Sequence, residues 1–446
     1  MRAVVRSFVR TEWTCEPMNN PIHNYEVLVI GGGPAGLAAA VSAQQAGARV
    51  AIVDDNPGLG GQIWRGEQRK ATTPEAAEWL QRAQAAQLEF ISGAHVYDQP
   101  EAGRLLAETF DGRLELGYQK LILATGARER FLPLPGWTLP GVAGAGGLQA
   151  LVKGGLPIAG KKVVVAGTGP LLLAVAAYLR KRGANVRLIA EQASQGRLLA
   201  FGLGLWRAPG KLFQAIQLKG QLTGIPHLTG CWPVAASGDG QLQRVTLQRG
   251  QKTWEVACDY LACGFHLVPN VELAVFFGCQ LRDGVVRVDE LQETSIPGIY
   301  SAGEATGIGG LELSLVEGQI AGFAATNQLN KARALLTECR KHQRFATLLN
   351  QTFSLRDELK NLPQPDTIVC RCEDVSFASL QQQTTWRAAK LHTRCGMGPC
   401  QGRICGGALE FLLGWQPESV RPPVFPVQVG SLMQPEAQSR NVVSQS

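Results

Sequence analysis

Apolar runs alternate with glycine-rich turns and helical stretches through the first two thirds of the chain. Residues 25–30 (YEVLVI) form a largely apolar run that passes directly into GGGPAG at 31–36 and then into a helical pattern, LAAAVSAQQAG. The next apolar run ends on Asp54. Short apolar runs bounded by glycine are typical of buried strands, so the sequence predicts a strand–turn–helix–strand unit here.

The same order of elements restarts at residue 161. KKVVVAGTGP predicts a strand and a turn, LLLAVAAYLRKRG a helix, and ANVRLIAE another strand. Three further buried strands are predicted, at 120–126, 260–264 and 299–307. We also expect helices over 76–90 and near 314–329, and short strands at 94–98, 104–109 and 113–118. The repeat predicts an α/β fold with two Rossmann-like, three-layer dinucleotide-binding domains.

The domain boundaries are predicted from the repeat and from changes in composition. A proline- and glycine-rich stretch at 133–147 is expected to be the crossover out of the first domain. The predicted layout is an N-terminal tail (1–23), a discontinuous first domain (24–150 and 262–335), an inserted second domain (151–261), a helical linker (336–364), a small helical C-terminal module (365–412) and a C-terminal tail (413–446). The first residues are either a loose tail or an over-long start upstream of Met18.

The first glycine loop has the pattern expected of a pyrophosphate-binding turn. Gly31 would permit the sharp turn, Gly33 the close approach of a phosphate, and Gly36 the packing of the helix on the strand. The free N–H groups of the helix N-terminus would face the phosphates. Asp54 stands at the end of the second strand, where a carboxylate can accept the ribose hydroxyls of an adenosine.

Two neighbouring features favour a flavin fold over a simple dehydrogenase. The first is the Pro34–Ala35 pair inside the loop. The second is GLGGQIW at 58–64, where Gly61 would let the chain cross close to the cofactor and Gln62 would offer an amide. A plain surface turn is the alternative for this second segment.

The second glycine loop departs from the pattern at one position. Gly167 and Gly169 supply the first two glycines, but Leu172 replaces the third and is expected to push the helix away from the strand. Glu191 stands at the ribose-acid position and disfavours NADP, since a carboxylate repels its 2′-phosphate. The second domain is expected either to bind NAD or ATP in a shifted pose or to have a structural role.

Cysteines crowd near the C-terminus. Of 11 in the chain, five fall in VCRCEDV and HTRCGMGPCQGRICGG: Cys370, Cys372, Cys395, Cys400 and Cys405. An odd total with this clustering suits metal binding better than a secreted disulfide framework. C-x-C with C-x4-C does not match zinc knuckles well, so an iron–sulfur cluster is favoured over zinc, with Cys395 able to replace Cys400 or Cys405. Cys258 and Cys263 are expected to be core thiols.

Composition narrows the function classes. The formal net charge is +7 over 446 residues and the basic residues are scattered, so we expect no nucleic-acid binding. No apolar run is long enough for a transmembrane helix, and no secretory signal is evident. We expect a cytoplasmic protein, with a peripheral position at the inner membrane as a variant of that location.

The motifs together resemble the glutathione-reductase-like flavoproteins, whose late strand ends in Gly-Asp. GGGPAG, ATG at 124–126, the second fold at 161–191 and IYSAGE at 299–304 are the segments that carry the resemblance. It implies FAD as cofactor, with Glu304 replacing the aspartate that binds the ribitol. The implied FAD contacts are Gly31, Gly33, Pro34, Ala35, Gly36, Asp54, Gly61, Gln62, Ala124, Thr125, Gly126, Gly303 and Glu304.

The cysteine segment resembles the bacterioferritin-associated ferredoxin fold, which holds a 2Fe–2S cluster. CRCEDV followed by TRCGMGPCQGRICG is a specific pattern. The resemblance assigns the ligands to Cys370, Cys372, Cys400 and Cys405 and leaves Cys395 out. The fold class therefore becomes two dinucleotide-binding domains with a small C-terminal iron–sulfur module.

This combination, over about residues 25–410, resembles the α (A) subunits of opine oxidases, hydrogen cyanide synthase and D-hydroxyproline dehydrogenases. The resemblance implies an electron-relay subunit. Its partner would be a β subunit similar to D-amino-acid oxidase that oxidises an amine or amino acid, and it leaves room for a small third subunit. The nucleotide would be FAD, with ATP as the alternative. The rival hypotheses are a self-sufficient NADH-dependent reductase and a non-catalytic structural subunit.

Overall fold

The computed structural model describes residues 22–66, 73–207, 209–416 and 419–433. Almost all of the predicted N-terminal tail, with Cys15 and Met18, lies outside these ranges, as do residues 434–446. Across the described ranges, no helix is long and apolar enough to cross a membrane.

Strands and helices alternate along most of the described chain. The strands are β1 His23–Ile30, β2 Val50–Asp54, β3 Glu89–Ser92, β4 His95–Glu101, β5 Arg104–Thr109, β6 Gly112–Leu123, β7 Ala127–Glu129, β8 Val142–Gly144, β9 Lys162–Thr168, β10 Asn185–Glu191, β11 His227–Thr229, β12 Cys231–Ser237, β13 Arg244–Arg249, β14 Lys252–Ala257, β15 Tyr260–Phe265, β16 Leu267–Pro269, β17 Leu281–Arg282, β18 Val285–Val286, β19 Ile299–Ser301, β20 Ile368–Cys370 and β21 Val375–Ser376. The helices are α1 Pro34–Gln45, α2 Pro74–Ala85, α3 Ala145–Lys153, α4 Pro170–Lys181, α5 Gln195–Gly204, α6 Pro209–Gln221, α7 Glu272–Phe276, α8 Leu311–Ala325, α9 Leu329–Ala334, α10 Leu336–Thr352, α11 Phe377–Gln381, α12 Trp386–Thr393, α13 Cys405–Leu413 and α14 Val429–Met433.

The first sheet has the strand order β3–β2–β1–β6–β5–β4, and β19 also pairs with the end of β6. Strands β1, β2, β3 and β19 run parallel to their neighbours, whereas β4, β5 and the start of β6 form an antiparallel meander. Because parallel strands end at one edge, the loops after β1, β6 and β19 meet there. The turns predicted at 31–36, 124–126 and 303–304 therefore lie next to one another at this edge.

Three predictions for this domain differ from the structure. The strand expected at 299–307 ends at Ser301, and Gly303–Thr306 forms a 3₁₀ helix. The helix expected over 76–90 ends at Ala85, and β3 begins at Glu89. The strand expected at 113–118 is continuous with the one at 120–126, because β6 changes partners along its length. Its first half pairs with β5 and its second half with β1 and β19.

Helices α1 and α8 pack with their backbones in close approach. A Cβ at Gly318 would overlap the carbonyl oxygen of Ala35, and one at Gly322 would overlap that of Ala39. Both helices are buried around most of their circumference. Small residues on both sides of the crossing therefore bring α8 directly against the helix that follows the first glycine loop.

The second sheet is parallel, with the order β11–β10–β9–β15–β8, and an antiparallel sheet β12–β13–β14 accompanies it. Strand β8 pairs with β15, which places residues 142–144 in the second sheet, although the sequence assigned everything up to 150 to the first domain. The antiparallel pair β7–β16 connects the two domains. Two Rossmann-like domains, as predicted, are confirmed.

The C-terminal module packs against this β7–β16 connection. It consists of the β20–β21 hairpin and helices α11, α12 and α13 around its own apolar core. Arg128 of β7 donates from Nε to the Arg403 carbonyl at 3.0 Å, and Arg130 forms an ion pair with Glu410 of α13 at 2.9 Å. Gly407 leaves room for Val268 of β16. The module is therefore held where the two dinucleotide domains join.

Candidate functional site: an open nucleotide loop beside a thiol cluster

The first glycine loop requires glycine at two of its three positions. Gly31 has φ +106°, and a Cβ there would overlap the carbonyl oxygen of Ala124. A Cβ at Gly36 would overlap the carbonyl oxygen of Gly31. The strand, the turn and α1 are therefore in backbone contact, as the glycine pattern predicts.

Gly33 differs from these two because its surroundings are open. No atom of the described chain lies within 4 Å of a Cβ placed at Gly33, which caps α1 without a side-chain hydrogen bond. Pro34 follows as the first helical residue and Ala35 is buried. The amide end of α1 therefore faces space where a phosphate can approach.

The GLGGQIW segment lies across the outer side of this loop. Gly60 donates its N–H to the Gly32 carbonyl at 2.7 Å, and Gly61, at φ +57°, would carry a Cβ 3.0 Å from the Gly33 Cα. Trp64 is buried in the core of the first domain, while Gln62 is exposed. Gly61 was expected to let the chain cross close to a cofactor, and the contact that the structure shows for it is with Gly33.

Asp54, which was expected to bind a ribose, forms hydrogen bonds to the first glycine loop and to Asn56. One carboxylate oxygen accepts the Gly32 N–H, and the other accepts the backbone and side-chain N–H groups of Asn56, both at 2.7 Å. Two carboxylate oxygens offer about four acceptor positions, so one remains for a ribose hydroxyl. Burial, followed by the neighbouring Asp54, raises the pKa of the adjacent Asp55.

The turn Ala124–Gly126 is held by hydrogen bonds with Asn270, a residue that belongs to no sequence motif. Thr125 donates through Oγ1 to the Asn270 carbonyl at 2.5 Å, and Asn270 donates through Nδ2 to the Thr125 carbonyl at 2.9 Å. The Asn270 N–H also bonds the Gly126 carbonyl at 2.9 Å. Arg128 donates to the Asn270 side-chain oxygen at 2.7 Å, which links this turn to the β7–β16 connection.

The Gly303–Glu304 turn lies against the start of α1. Gly303 has φ +78°, and a Cβ there would come within 2.7 Å of the Ala35 Cβ. Its N–H and the Thr306 hydroxyl both donate to Glu317 Oε2 at 3.0 Å. Burial raises the pKa of Glu304, and it raises the pKa of Glu317 on α8 to about 7.

Glu317 was missed by the sequence analysis. The only signal was that it is one of two carboxylates, with Glu312, in the otherwise apolar stretch LELSLVEGQIAGFAA. Its two hydrogen bonds set the turn that presents Glu304 to the loop edge. The structure brings the predicted loops together, whereas two residues that hold these loops in place, Asn270 and Glu317, belong to no motif.

The second glycine loop keeps its fold in spite of Leu172. A Cβ at Gly167 would overlap the Gly264 carbonyl, so the strand-to-helix turn is as tight as in the first domain. Leu172 is buried in the second core beside Gly264, whose missing side chain leaves it space. The expectation that leucine pushes α4 off the sheet was therefore wrong: α4 packs on β9 and β10.

Two side chains, Glu191 and Phe353, contact Gly169 of the second loop. Glu191 is buried and accepts hydrogen bonds from Thr168 Oγ1, the Gly169 N–H and the Ala193 N–H, each at 2.8 Å. Burial raises its pKa against these three bonds. Phe353 lies over Gly169, with its ring Cγ 4.0 Å from a Cβ placed there.

The segment that follows α10 is fastened over this loop. Gln192 donates to the Ser354 carbonyl at 3.2 Å, and Arg197 donates to the Ser354 hydroxyl at 3.1 Å. The Phe353 ring packs edge-on against Phe201 at 5.2 Å. The chain's own linker therefore closes the mouth of the second loop, whereas the first loop is open.

The five C-terminal thiols form two adjoining groups. The Sγ atoms of Cys370, Cys395 and Cys405 lie within 4.8 Å of one another and all three residues are buried. Cys372 is exposed and accepts a hydrogen bond from the Cys400 N–H. The resemblance-based ligand set therefore divides between the two groups, and Cys395 joins the buried one.

The donor chemistry of this cluster fits an iron–sulfur centre. In the described part of the chain it is the only set of three or more metal-binding side chains in mutual reach, and it is purely sulfur. Gly396 donates its N–H to Cys370 Sγ at 3.5 Å, and Cys405 opens α13, whose positive end favours an anionic cluster. Hydrogen bonds from Cys395 and Cys405 lower the pKa of Cys370, and the same contacts raise the pKa of both donors, so the three thiols share their protons.

Comparisons with known proteins agree with this architecture. Residues 25–324 match the family model described as pyridine nucleotide-disulphide oxidoreductase, a family that implies FAD binding. Hydrogen cyanide synthase subunit HcnB of Pseudomonas aeruginosa is 30% identical over 86% of this chain and 91% of its own length. The α (A) subunit of opine oxidase from Rhizobium meliloti is 29% identical over 92% of this chain and 98% of its own length.

Solved structures show the same fold at lower identity. A crystal structure of L-proline dehydrogenase from P. horikoshii covers 92% of this chain and 80% of the matched chain, with a TM-score of 0.66 and 21% identity. Thioredoxin reductase of T. acidophilum covers 69% of this chain and 99% of its own, with a TM-score of 0.54 and 19% identity. The chain therefore belongs to the pyridine nucleotide-disulphide oxidoreductase family, as a flavoprotein relative of the hydrogen cyanide synthase and opine oxidase subunits.

Proposed function

We propose that the chain is the electron-relay subunit of a multi-subunit, FAD-dependent dehydrogenase that acts on amines or amino acids. The observation that carries the proposal is the position of the thiol cluster. Arg128 bonds both Asn270, which fixes the Ala124–Gly126 turn, and the Arg403 carbonyl between Cys400 and Cys405. One side chain thus connects the open nucleotide loop to the cysteine segment.

FAD is the nucleotide proposed for the open loop. The helix end at Gly33–Ala35 would face the pyrophosphate, Asp54 would accept a ribose hydroxyl, and Glu304 would bond the ribitol. When bound, FAD accepts electrons in pairs and releases them singly, and a 2Fe–2S cluster carries one at a time. Gly61 and Gly303 would allow the backbone to lie close to the cofactor.

For the cluster, the proposed ligands are Cys370, Cys372, Cys400 and Cys405. Cys395 is the competing fifth thiol, since it lies in the buried group with Cys370 and Cys405. Cys372 and Cys400 contact each other, and both would have to move to the centre that Cys370 and Cys405 share.

The partner proposed for the chain is a β subunit similar to D-amino-acid oxidase, with room for a small third subunit. The relatives are themselves named as subunits. Substrate oxidation would take place on the partner, and the complex would be cytoplasmic, with a peripheral position at the inner membrane as a variant of that location. A self-sufficient NADH reductase is disfavoured because the Phe353 ring lies over Gly169 of the second loop, whereas no side chain of the described residues lies over Gly33 of the first.

The test is an absorption spectrum with iron and sulfide analysis of the purified chain, alone and with its partner subunits. The relay requires flavin and about two irons and two sulfides per chain, and reduction of both centres by an amino acid only when the partner is present. Rapid turnover of an amino acid by the chain alone would exclude a partner-supplied active site. Centres that stay oxidised with substrate and partner would indicate a structural subunit.

A further inference from the structure

The described end of the predicted C-terminal tail packs against the first domain. We call residues 419–433 the C-terminal strap. Val424 is buried in the core of the first domain, and its N–H donates to the Tyr97 carbonyl of β4 at 2.8 Å. Ser431 is also buried, and its hydroxyl donates to Glu108 Oε1 of β5 at 2.6 Å. The strap is therefore fixed to the antiparallel side of the first sheet.

Arg403 is the residue through which the strap holds the cysteine segment. It lies between Cys400 and Cys405 in the chain. Its guanidinium lies over the Phe425 ring of the strap, with Cζ 4.3 Å from the ring centroid, in a cation–π contact. Nη2 donates to the Val424 carbonyl at 3.3 Å, and Nη1 donates to the Cys400 carbonyl at 3.4 Å. The guanidinium thus connects the strap to the main chain of a proposed cluster ligand.

The Arg403 guanidinium is a fixed positive charge beside that ligand. Arginine stays protonated in proteins, even though burial lowers the pKa of this half-buried side chain. Glu272, Cys400 and Asp55 oppose that lowering of the pKa. Arg128 adds to it, and Arg128 is also the residue that pairs with Glu272, at 2.8 Å. Within the described ranges no carboxylate forms an ion pair with Arg403, so a positive charge remains next to the cysteine segment.

We infer that Arg403 is a positioning residue for the iron–sulfur cluster, and that the charge it holds beside Cys400 raises the reduction potential of the cluster. The inference rests on the proposed function, because it requires a cluster in the cysteine segment. A reduced cluster carries one more negative charge than an oxidised one, so a nearby fixed cation stabilises the reduced form. The contacts with the strap keep the guanidinium partly away from water, which weakens the screening of its charge. A higher potential would favour the passage of an electron from flavin to the cluster.

The experiment is a redox titration of the full-length, cofactor-loaded chain, followed by electron paramagnetic resonance of the reduced cluster. Arg403→Met removes the charge and keeps an unbranched side chain, whereas Arg403→Lys keeps the charge and loses the planar fork of donors. The matched control is Arg387→Met, since Arg387 is an exposed arginine on α12 of the same module, where water and salt screen its charge. Iron, sulfide and melting temperature are measured for each protein, so that loss of the cluster is separated from a change in its potential.

We expect reduction of the cluster to be about tenfold less favourable in Arg403→Met than in the parent, which is about 59 mV for a one-electron couple. Arg403→Lys and the control should stay close to the parent potential. An unchanged potential in Arg403→Met would overturn the inference even if less cluster were bound, because Arg403 would then only hold the loop.

The lysine variant decides the matter if Arg403→Met retains no cluster. A potential near that of the parent would support the role of the charge, whereas a shift of about tenfold in the reduction equilibrium, with the charge still present, would overturn it. A parent chain that binds no iron and sulfide would refute the relay proposal together with this inference. A parent with its cluster and an unshifted Arg403→Met would refute this inference alone.

Discussion

Replacing Glu317 by glutamine should change how the stability of the protein depends on pH. Glu317 is buried on α8 and accepts two hydrogen bonds that fix the Gly303–Glu304 turn. Burial raises its pKa from 4.5 to about 7. Around it on α10 are Gln343, which donates a hydrogen bond to the carboxyl, and Cys339, whose pKa burial raises to about 12.

The sign follows from proton linkage. Between pH 4.5 and 7 the folded protein holds a proton on Glu317 that the unfolded chain has released, so the free energy of unfolding falls as the pH rises. Since each pKa unit is worth about 1.4 kcal/mol, the full loss is about 3 kcal/mol, complete above pH 7. A glutamine keeps an oxygen for Gly303 and Thr306 but does not titrate. Relative to the parent, Glu317→Gln should therefore gain stability as the pH rises from 5 to 8.

Urea unfolding midpoints measured at several pH values between 5 and 8 test this reasoning. The control is Glu358→Gln, since Glu358 is exposed and its hydrogen bond with Arg356 lowers its pKa, which keeps its titration below this range. The difference between Glu317→Gln and the parent should follow a single-proton curve, whereas the control difference should be flat. A pH-independent difference for Glu317→Gln would refute the raised pKa and the role of burial in causing it.

Three further predictions concern the loops and the cluster. Gly36→Ala should fail to fold or lose flavin, because its Cβ overlaps the Gly31 carbonyl, whereas Gly33→Ala should keep the parent circular dichroism spectrum and lose flavin alone. Iron and sulfide should fall well below half in Cys372→Ser and stay near the parent level in Cys395→Ser; the reverse result would make Cys395 the ligand. Isothermal titration with NADH should show no saturable binding to the parent, and Phe353→Ala is the variant in which weak binding should first become measurable.

The glycine loops were predictable because their constraints are local. Gly36 is required by an overlap with the Gly31 carbonyl, five positions away, and Gly31 by its φ of +106°, so both constraints leave a fixed spacing in the sequence. Asn270 and Glu317 could not be found in the same way. Each satisfies groups at least eleven positions distant, and no short pattern encodes a partner that only the folded sheet brings near.

The second loop shows why a single departure from a motif was misread. Leu172 was expected to push the helix away from the strand, but the residue that faces it is Gly264, which has no side chain. The volume removed at one position accepts the volume added at the other, so α4 keeps its place. Substitutions that compensate across 92 positions are visible only when the two elements are packed together.

The cysteine segment was predicted to bind a metal, and the structure brings its thiols together in groups that spacing alone did not suggest. Residues two apart in an extended strand share a face, so a continued strand would bury both thiols of C-x-C. Strand β20 instead ends at Cys370, and Cys372 lies in the turn that follows, where it is exposed. Cys370 therefore meets Cys395 and Cys405, and Cys372 meets Cys400. Which four thiols share one centre therefore depends on the loop at 396–404.

The second dinucleotide domain supports other parts of the chain, although its nucleotide loop is covered. The core of the second domain includes Leu359 and Leu362 of the linker, and Phe411 of the C-terminal module packs against it. Trp137, in the same core, donates from Nε1 to the Ile368 carbonyl at the start of the module at 2.5 Å. A domain whose nucleotide loop is closed by its own linker still provides the surface on which the cysteine module is mounted. The second domain therefore has to keep its fold in order to hold the thiol cluster in place relative to the open loop. This holds whether or not the second domain binds a nucleotide.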